Sequence, residues 1–392
     1  MKKITGLPSF VKSKYYLLKQ QGVINAIKYA ISKVPIIKSF YNYFFYPIIT
    51  DIRINRCAKK ENSDVLFAVY DLEAHAASFD FVHFLIRSDT ERKRRNLKSL
   101  FILIIPGTTQ GFASSFINFY VENSLKNYNN IDFLKWRVKH ILIPSSYLMP
   151  SCSGITLCIS RCQGYKQLQK IPKQNIFPTG SSIVSPISIY NNSEIINPFS
   201  KNLCDSSIIP SETSLRFIKQ WIESRNLENK KLVTITFRES SNDIGRNSNI
   251  LEWIKFTNSL DLTIFHPVIV RDTEVALEPN SDSLSVFTIF SEVPWNIELR
   301  AALYHVSYLN MFTASGPSSL AMFNSKCRFL SFKIITPSSP VATSEHIKNI
   351  GIPVDSQLEF FSKFQKQVWE DDTFEVISRE FQQMVRLIEN NC

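Results

Sequence analysis

From Val65 onward, short apolar runs alternate with amphipathic stretches. VLFAVY (65–70) is unbroken apolar sequence closed by the acidic loop Asp71, Leu72, Glu73. The helical spacing of Phe81, Phe84 and Leu85 predicts a helix over 79–95, and its basic end, Arg92 to Arg95, complements the dipole of a helix C-terminus. SLFILIIPG (99–107) reads as a second buried strand stopped by Pro106 and Gly107. A helix over 114–126 and a third strand at HILIPSS (140–146) are expected next. Apolar runs that do not alternate with polar residues are covered on both faces, as in parallel sheets.

Between about 165 and 212 the chain turns polar and Pro-rich and reads as loop and linker. The alternation then restarts, with helices expected at 213–226, 248–260, 296–305 and from 318. The strands between them are KLVTITF (231–237), PVIVRD (267–272), VFTIF (286–290), YLNMF (308–312) and RFLSF (328–332). Phe374, Ile377, Phe381, Met384 and Ile388 mark a closing helix. The expected fold is therefore α/β, with two Rossmann-like parallel-sheet domains and a basic N-terminal helical extension. The boundaries are 1–60 for the extension, 61–205 and 206–355 for the two domains, and 356–392 for the closing helix.

Composition narrows the functional classes. Ten glycines in 392 residues is less than half the usual ~7%, and no Gly-rich phosphate cradle of the dinucleotide or P-loop kind occurs. The net charge of +11 resides in residues 1–60, which hold twelve Lys or Arg and a single acid, Asp51. The body is neutral, which argues against a nucleic-acid-binding surface. In the extension, Ile24, Ile27, Ile31 and Val34 recur at helical spacing, followed by the aromatic cluster Phe40 to Tyr46. Lysines 28, 33 and 38 interrupt any membrane span or signal core. A basic amphipathic helix followed by aromatics suits an anionic headgroup layer, where each cation contributes ~1 kcal/mol. The expected location is cytoplasmic, peripheral to the inner face of the membrane. Seven cysteines at irregular spacings imply neither a disulfide framework nor a zinc site.

Candidate chemistry gathers at the ends of the expected strands, around a cleft where the carboxyl ends of two parallel sheets would meet. TFRESSNDIGRNSN places Arg238, Glu239, Ser240, Arg246, Asn247, Ser248 and Asn249 between a strand and a helix, with Ser248 the expected N-cap. Arginine forks and a helix N-terminus suit phosphate oxygens; the alternative is an Arg and Glu set tying down the loop. FTASGPSSL offers Ser315, Gly316, Pro317 and Ser318 at a tight turn, where Gly316 allows a close backbone approach. Asp272 and Glu298 are candidates for a ribose or sugar hydroxyl, with Arg271, Glu274 and Arg300 beside them. Asp71, Glu73 and His75 follow the first strand, where a general base for an acceptor hydroxyl would stand, and Gln110 is placed to line the same cleft. No metal is called for: two carboxylates at a spacing of two are common by chance.

These segments carry a resemblance. The order of an Arg-rich strand end, a strand ending in an acidic loop and a Ser-Gly-Pro turn looks like the second domain of GT-B type glycosyltransferases. VYDLEAHAASFDFVHFLIRSDTERKR, TFRESSNDIGRNSN, ELRAALYHVSYLNMFTASGPSSL and CRFLSFK resemble an uncharacterised bacterial family of this type, linked to surface-polysaccharide synthesis. The likeness covers 61–335, and the chain departs from better-known members in lacking a Gly-rich loop in the first domain. It implies an acceptor domain at 61–205, a nucleotide-sugar domain at 206–355, and sugar transfer to a cell-surface glycan or lipid-linked acceptor. The nucleotide sugar is then a substrate, and no cofactor is implied. In this reading Arg238 binds the donor and stabilises the leaving diphosphate. The alternatives are another group transferase on the same fold, such as a pyruvyl transferase, and a noncatalytic glycan-binding scaffold.

The concentration of charge generates a first test. Deleting residues 1–60 should release the protein from anionic vesicles in a sedimentation assay at physiological salt, with the α/β body still folded by circular dichroism. A truncated body that still sediments would show that the extension is not the anchor.

Overall fold

The first strand, β1 (Val65–Asp71), pairs in parallel with β2 (Ser99–Ile105) in unbroken register from Val65 opposite Ser99 to Asp71 opposite Ile105. In this computed structural model the described residues are 63–108, 131–182, 184–188, 208–241, 243–349 and 351–391. The extension at 1–60, Gln110 and the helix expected at 114–126 lie outside them. Residues Asp64–Cys392 form one compact unit.

Between β1 and β2 runs α1 (Asp80–Arg94), which starts with an acid and ends with Arg92, Lys93 and Arg94, matching the helix dipole at both ends. The expected strand at 140–146 is helical. After α2 (Ile131–Arg137), a π-helical turn (Val138–Leu142) leads into α3 (Ile143–Tyr147). Leu134, Val138, Ile141 and Leu142 are buried at steps of four, three and one, a helical face. Pro144 sits in the first turn of α3, where its missing N–H has no partner to lose. The third strand is instead β3 (Cys152–Leu157), a half-buried edge whose Ser and Gly content hid it.

The helix α4 (Arg161–Leu168), capped by Ser160 accepting from the Gln163 N–H, runs into the region read as linker, which also holds the two-residue strand β4 (Ile176–Phe177). The first sheet has the order β3-β2-β1-β4, all parallel. Its faces split by residue parity: Leu66, Ala68 and Tyr70 pack under α1 and α3, while Phe67 and Val69 pack with Tyr165 and Leu168 of α4.

The second sheet follows α5 (Glu212–Glu223) and is built from β5 (Lys231–Thr236), α6 (Ile250–Ser259), β6 (Phe265–Val270), β7 (Thr288–Ile289), α7 (Ile297–Val306), β8 (Leu309–Thr313), α8 (Ser319–Met322), β9 (Phe329–Phe332), α9 (Ser344–Asn349), β10 (Gln365–Gln367) and α10 (Phe374–Glu389). Its order is β10-β9-β8-β5-β6-β7, again all parallel. The run expected as a strand at 286–290 pairs only through Thr288 and Ile289, and the helix expected from 318 is a four-residue α8 after a 3₁₀ turn. One face packs on α6 and α10 through Trp253, Phe256, Ile377 and Phe381; the other packs on α5 and α7 through Ile218, Ala302 and Leu303.

The two sheets are joined by apolar packing. One buried cluster runs from Phe81, Leu85 and Leu142 beside the first sheet to Ile297, Ala301, Tyr304 and Leu320 beside the second. Edge-on ring contacts reinforce it: Trp136 against Trp295 at 5.9 Å between centroids, and His83 against Phe323 at 4.9 Å.

Candidate functional site

In a parallel α/β unit, every strand-to-helix loop leaves the carboxyl edge of its sheet. Arg238, Glu239 and residues 243–249 follow β5, and Ser315 to Ser318 follow the adjacent strand β8. The two segments touch: the Ser248 and Thr313 hydroxyls are 2.8 Å apart, and Arg246 Nη2 reaches the Ala314 carbonyl at 3.4 Å. From the first sheet, the loop between β1 and α1 meets them. Phe79 lies against Gly316 so closely that a Cβ on Gly316 would fall 2.7 Å from the Phe79 ring. The close approach this glycine permits is thus to the protein's own aromatic ring.

The 238–249 loop is held chiefly by its own residues. Arg238 is 9% exposed, and its Nη1 donates to the Asp243 carbonyl at 3.0 Å and to Asn247 Oδ1. Its backbone N–H donates to Ser248 Oγ at 2.9 Å, and Ser248 N–H donates back to the Arg238 carbonyl at 2.9 Å. The side chain expected to point into the cleft therefore clamps the loop. Asn247 completes the clamp, accepting from Ser240 N–H and donating to the Ser240 carbonyl. Glu239 takes the Arg271 guanidinium at 2.7 Å, and Asp272 accepts from Glu239 N–H at 3.4 Å. Glu274 accepts from Ser241 N–H at 2.8 Å.

Helix α6 is not capped by Ser248. Its N-cap is Asn249, with no side-chain cap, and the orphan N–H of Asn249 donates to Asp372 Oδ2 at 2.9 Å. The same oxygen accepts from Trp253 Nε1 at 2.8 Å and from Thr313 Oγ1 at 3.2 Å. Asp372 is 1% exposed, and its second oxygen lies 3.7 Å from Lys333 Nζ, which also donates to the Asn247 carbonyl at 3.2 Å. Neither Asp372 nor Lys333 was apparent from sequence: the carboxylate stands 123 residues from Asn249, and no local pattern links them.

At the turn, Ser318 Oγ donates to the Ser315 carbonyl at 2.6 Å, and Pro317 holds the 3₁₀ segment Gly316–Ser318. Glu298 accepts from Ser211 Oγ at 3.0 Å, which ties α7 to the N-cap of α5.

In the first sheet Asp71 is 1% exposed and bound by Arg161 through both oxygens, at 2.5 and 2.9 Å, by Tyr165 Oη at 2.7 Å, and by Glu73 N–H at 2.9 Å. Glu73 accepts from Thr108 N–H and Oγ1 at 2.6 and 2.7 Å. His75 is stacked on Tyr70 at 4.7 Å, and burial pushes its imidazole down to about 4. Asp71 and His75 are buried, and Glu73 is half-buried. Asp80, at the first position of α1, is exposed, with Ser78 Oγ donating to it at 2.9 Å. Asp80 and Arg246 both act on His346 of α9: burial pushes that imidazole down, Asp80 opposes the shift and Arg246 adds to it. An acid from the first sheet, and a guanidinium and an imidazole from the second, therefore share one electrostatic neighbourhood. Among the described residues, no group of three or more His, Cys, Asp or Glu is placed to hold a metal ion.

No family model matches the sequence, and no curated protein matches it. Among solved structures, the chain is similar to a family 9 glycosyl transferase from Veillonella parvula, with 9% identity, 82% of this chain and 89% of that one covered, and a TM-score of 0.44. It is also similar to the wall teichoic acid polymerase TagF, with 6% identity, 90% and 93% covered, and a TM-score of 0.27.

Two measurements follow from the geometry. Asp372→Ala leaves the Lys333 charge and three donors without their acceptor, so it should lower unfolding free energy by on the order of 3 kcal/mol, read from the urea midpoint. Because His75 is neutral when folded and titrates near its ordinary value when unfolded, its contribution is present above about pH 6.5 and lost as pH falls. The loss from this one group between pH 7 and 5 is about 2 kcal/mol. Melting temperatures should show that slope reduced in His75→Phe.

Proposed function

We propose that the chain is a glycosyltransferase that moves a sugar from a nucleotide-sugar donor to a cell-surface glycan or lipid-linked acceptor, at an anionic membrane surface engaged by residues 1–60. The observation that supports this reading is the meeting of the two carboxyl edges. The Ser315–Ser318 turn meets the loop that opens α1, with Phe79 seated on Gly316 and the exposed Asp80 next in the chain, and Asp80 and Arg246 both act electrostatically on His346. A donor held on the second sheet thereby faces an acceptor held on the first.

The roles follow from what each side chain already does. Asp71 is enclosed by its partners, His75 is buried, and Glu73 is half-buried and bonded by Thr108, so the general base for an acceptor hydroxyl is taken as Asp80, the exposed acid of this loop, one oxygen of which accepts from Ser78 Oγ. Arg246 is the guanidinium at the rim, with 24% of its side chain exposed, and meets the leaving diphosphate together with the turn at Ser315, Gly316, Pro317 and Ser318. Positive charge fixed before the reaction stabilises the departing group without need of a metal. Arg238, Asn247, Ser248 and Asn249 hold the loop in place, Asp272 accepts from it at Glu239, and Glu298 stands at the start of α7, bonded by Ser211. One observation favours a rival: the charges of the 238–249 loop are already paired, Arg246 with Asp243 and Glu239 with Arg271 after β6, as they would be in a noncatalytic glycan-binding scaffold.

Calorimetric titration of the full chain with a panel of nucleoside diphosphates separates the two, since a transferase binds at least one and a scaffold binds none. With a productive donor, Arg246→Ala should lower turnover roughly 100-fold with little change in melting temperature. Asp80→Asn should lower turnover while donor affinity stays unchanged. Absence of binding across the panel at millimolar ligand would overturn the reading.

A further inference from the structure

Arg300 lies in the first turn of α7, its backbone N–H bonded to the Asn296 carbonyl at 2.9 Å. The loop leading into this turn comes from the carboxyl end of β7, so α7 begins at the edge where the candidate site stands. The residue is 2% exposed, and among the described residues its buried Nε and Nη2 meet no hydrogen-bond partner. The surroundings are apolar. Ile297, Ala301 and Tyr304, on the same helical face, belong to the cluster that joins the two sheets. The acid nearest in sequence, Glu298, is held by Ser211. Helix α3 of the first-sheet layer packs on α7 and carries a second buried orphan, the Ser145 hydroxyl, which is fully enclosed and has no partner.

A guanidinium keeps its charge throughout the physiological range, and burying it without a counter-charge is among the most unfavourable things a folded chain can do. The other arginines of the carboxyl edges do not have this problem: Arg161 is paired with Asp71, Arg271 with Glu239, and Arg238 is bonded within its own loop. We infer that Arg300 is an anion-binding residue, and that a phosphate group of the ligand supplies the missing counter-charge in the junction between the two sheets. The inference rests on the transferase reading only for the choice of phosphate as the anion. Phosphate matches the planar fork, which can donate two parallel hydrogen bonds to its oxygens. It can come from the nucleotide donor or from a lipid-linked diphosphate acceptor.

The decisive variant is Arg300→Met, which keeps the length of the side chain and removes the charge. A residue held for a ligand is a burden on the empty protein. The ligand-free variant should therefore melt several degrees higher than the parent, while the thermal shift given by inorganic pyrophosphate disappears and its affinity falls on the order of 100-fold. Arg300→Lys should keep the charge and part of the shift. Repeating the titrations with a nucleoside diphosphate and with farnesyl diphosphate tells the sources apart by which one loses affinity in Arg300→Met. A lower melting point in ligand-free Arg300→Met and Arg300→Lys alike would make Arg300 a structural residue and overturn the proposal. So would a pyrophosphate shift that survives in Arg300→Met, or no pyrophosphate shift in the parent. Failure here leaves the transferase reading to the nucleoside diphosphate titration of the parent chain, which asks only whether a donor binds.

Discussion

The carboxylate of Asp372 fixes the carboxyl edge of the second sheet. A buried carboxylate is tolerated only where donors and a counter-charge surround it, and Asp372 has the first N–H of α6, the indole of Trp253, the hydroxyl of Thr313 and the ammonium of Lys333. These partners belong to three elements, so one side chain sets the entry of α6, the end of β8 and the residue after β9 relative to one another. Lys333 adopts φ of 54°, a left-handed conformation that a lysine takes only under constraint. Its bond to the Asn247 carbonyl is the return on that strain, because it pins the far end of the 238–249 loop. Asp71 plays the same part in the first sheet, gathering Arg161, Tyr165 and the N–H of Glu73.

Much of this fold was legible in the chain because the strands are buried on both faces. VLFAVY, SLFILII, KLVTIT and YLNMF need no partner to be recognised, and the α10 stripe from Phe374 to Ile388 is set by its own spacing. The misreadings have local causes. HILIPSS has the apolar content of a strand, and only its spacing from Leu134 and Val138 shows a helix. CSGITL has the Ser and Gly of a loop, yet it forms an edge strand because β2 offers it a free ladder. The site was legible in its addresses and less so in its roles. The loops after β1, β5 and β8 do converge, but whether an arginine in such a loop points outward or back on its own backbone depends on partners such as Asp243 and Asn247, whose geometry no spacing encodes. Asp80 and His346 drew no attention because each is ordinary in sequence, and only the packing of the two sheets brings them into one electrostatic neighbourhood.

The charge pattern of the junction has a mechanical consequence. Paired charges at the two edges make stiff loops, since moving any one of them breaks several bonds at once. The apolar cluster that spans both sheets has no such directionality and can slide or open at a cost set by exposed area. Arg300 lies within that softer layer, where its burial opposes tight contact as long as it lacks a counter-ion. An anion arriving there would remove the electrostatic penalty and leave the apolar attraction unopposed. Ligand binding and tighter packing of the layer between the sheets would then be the same event.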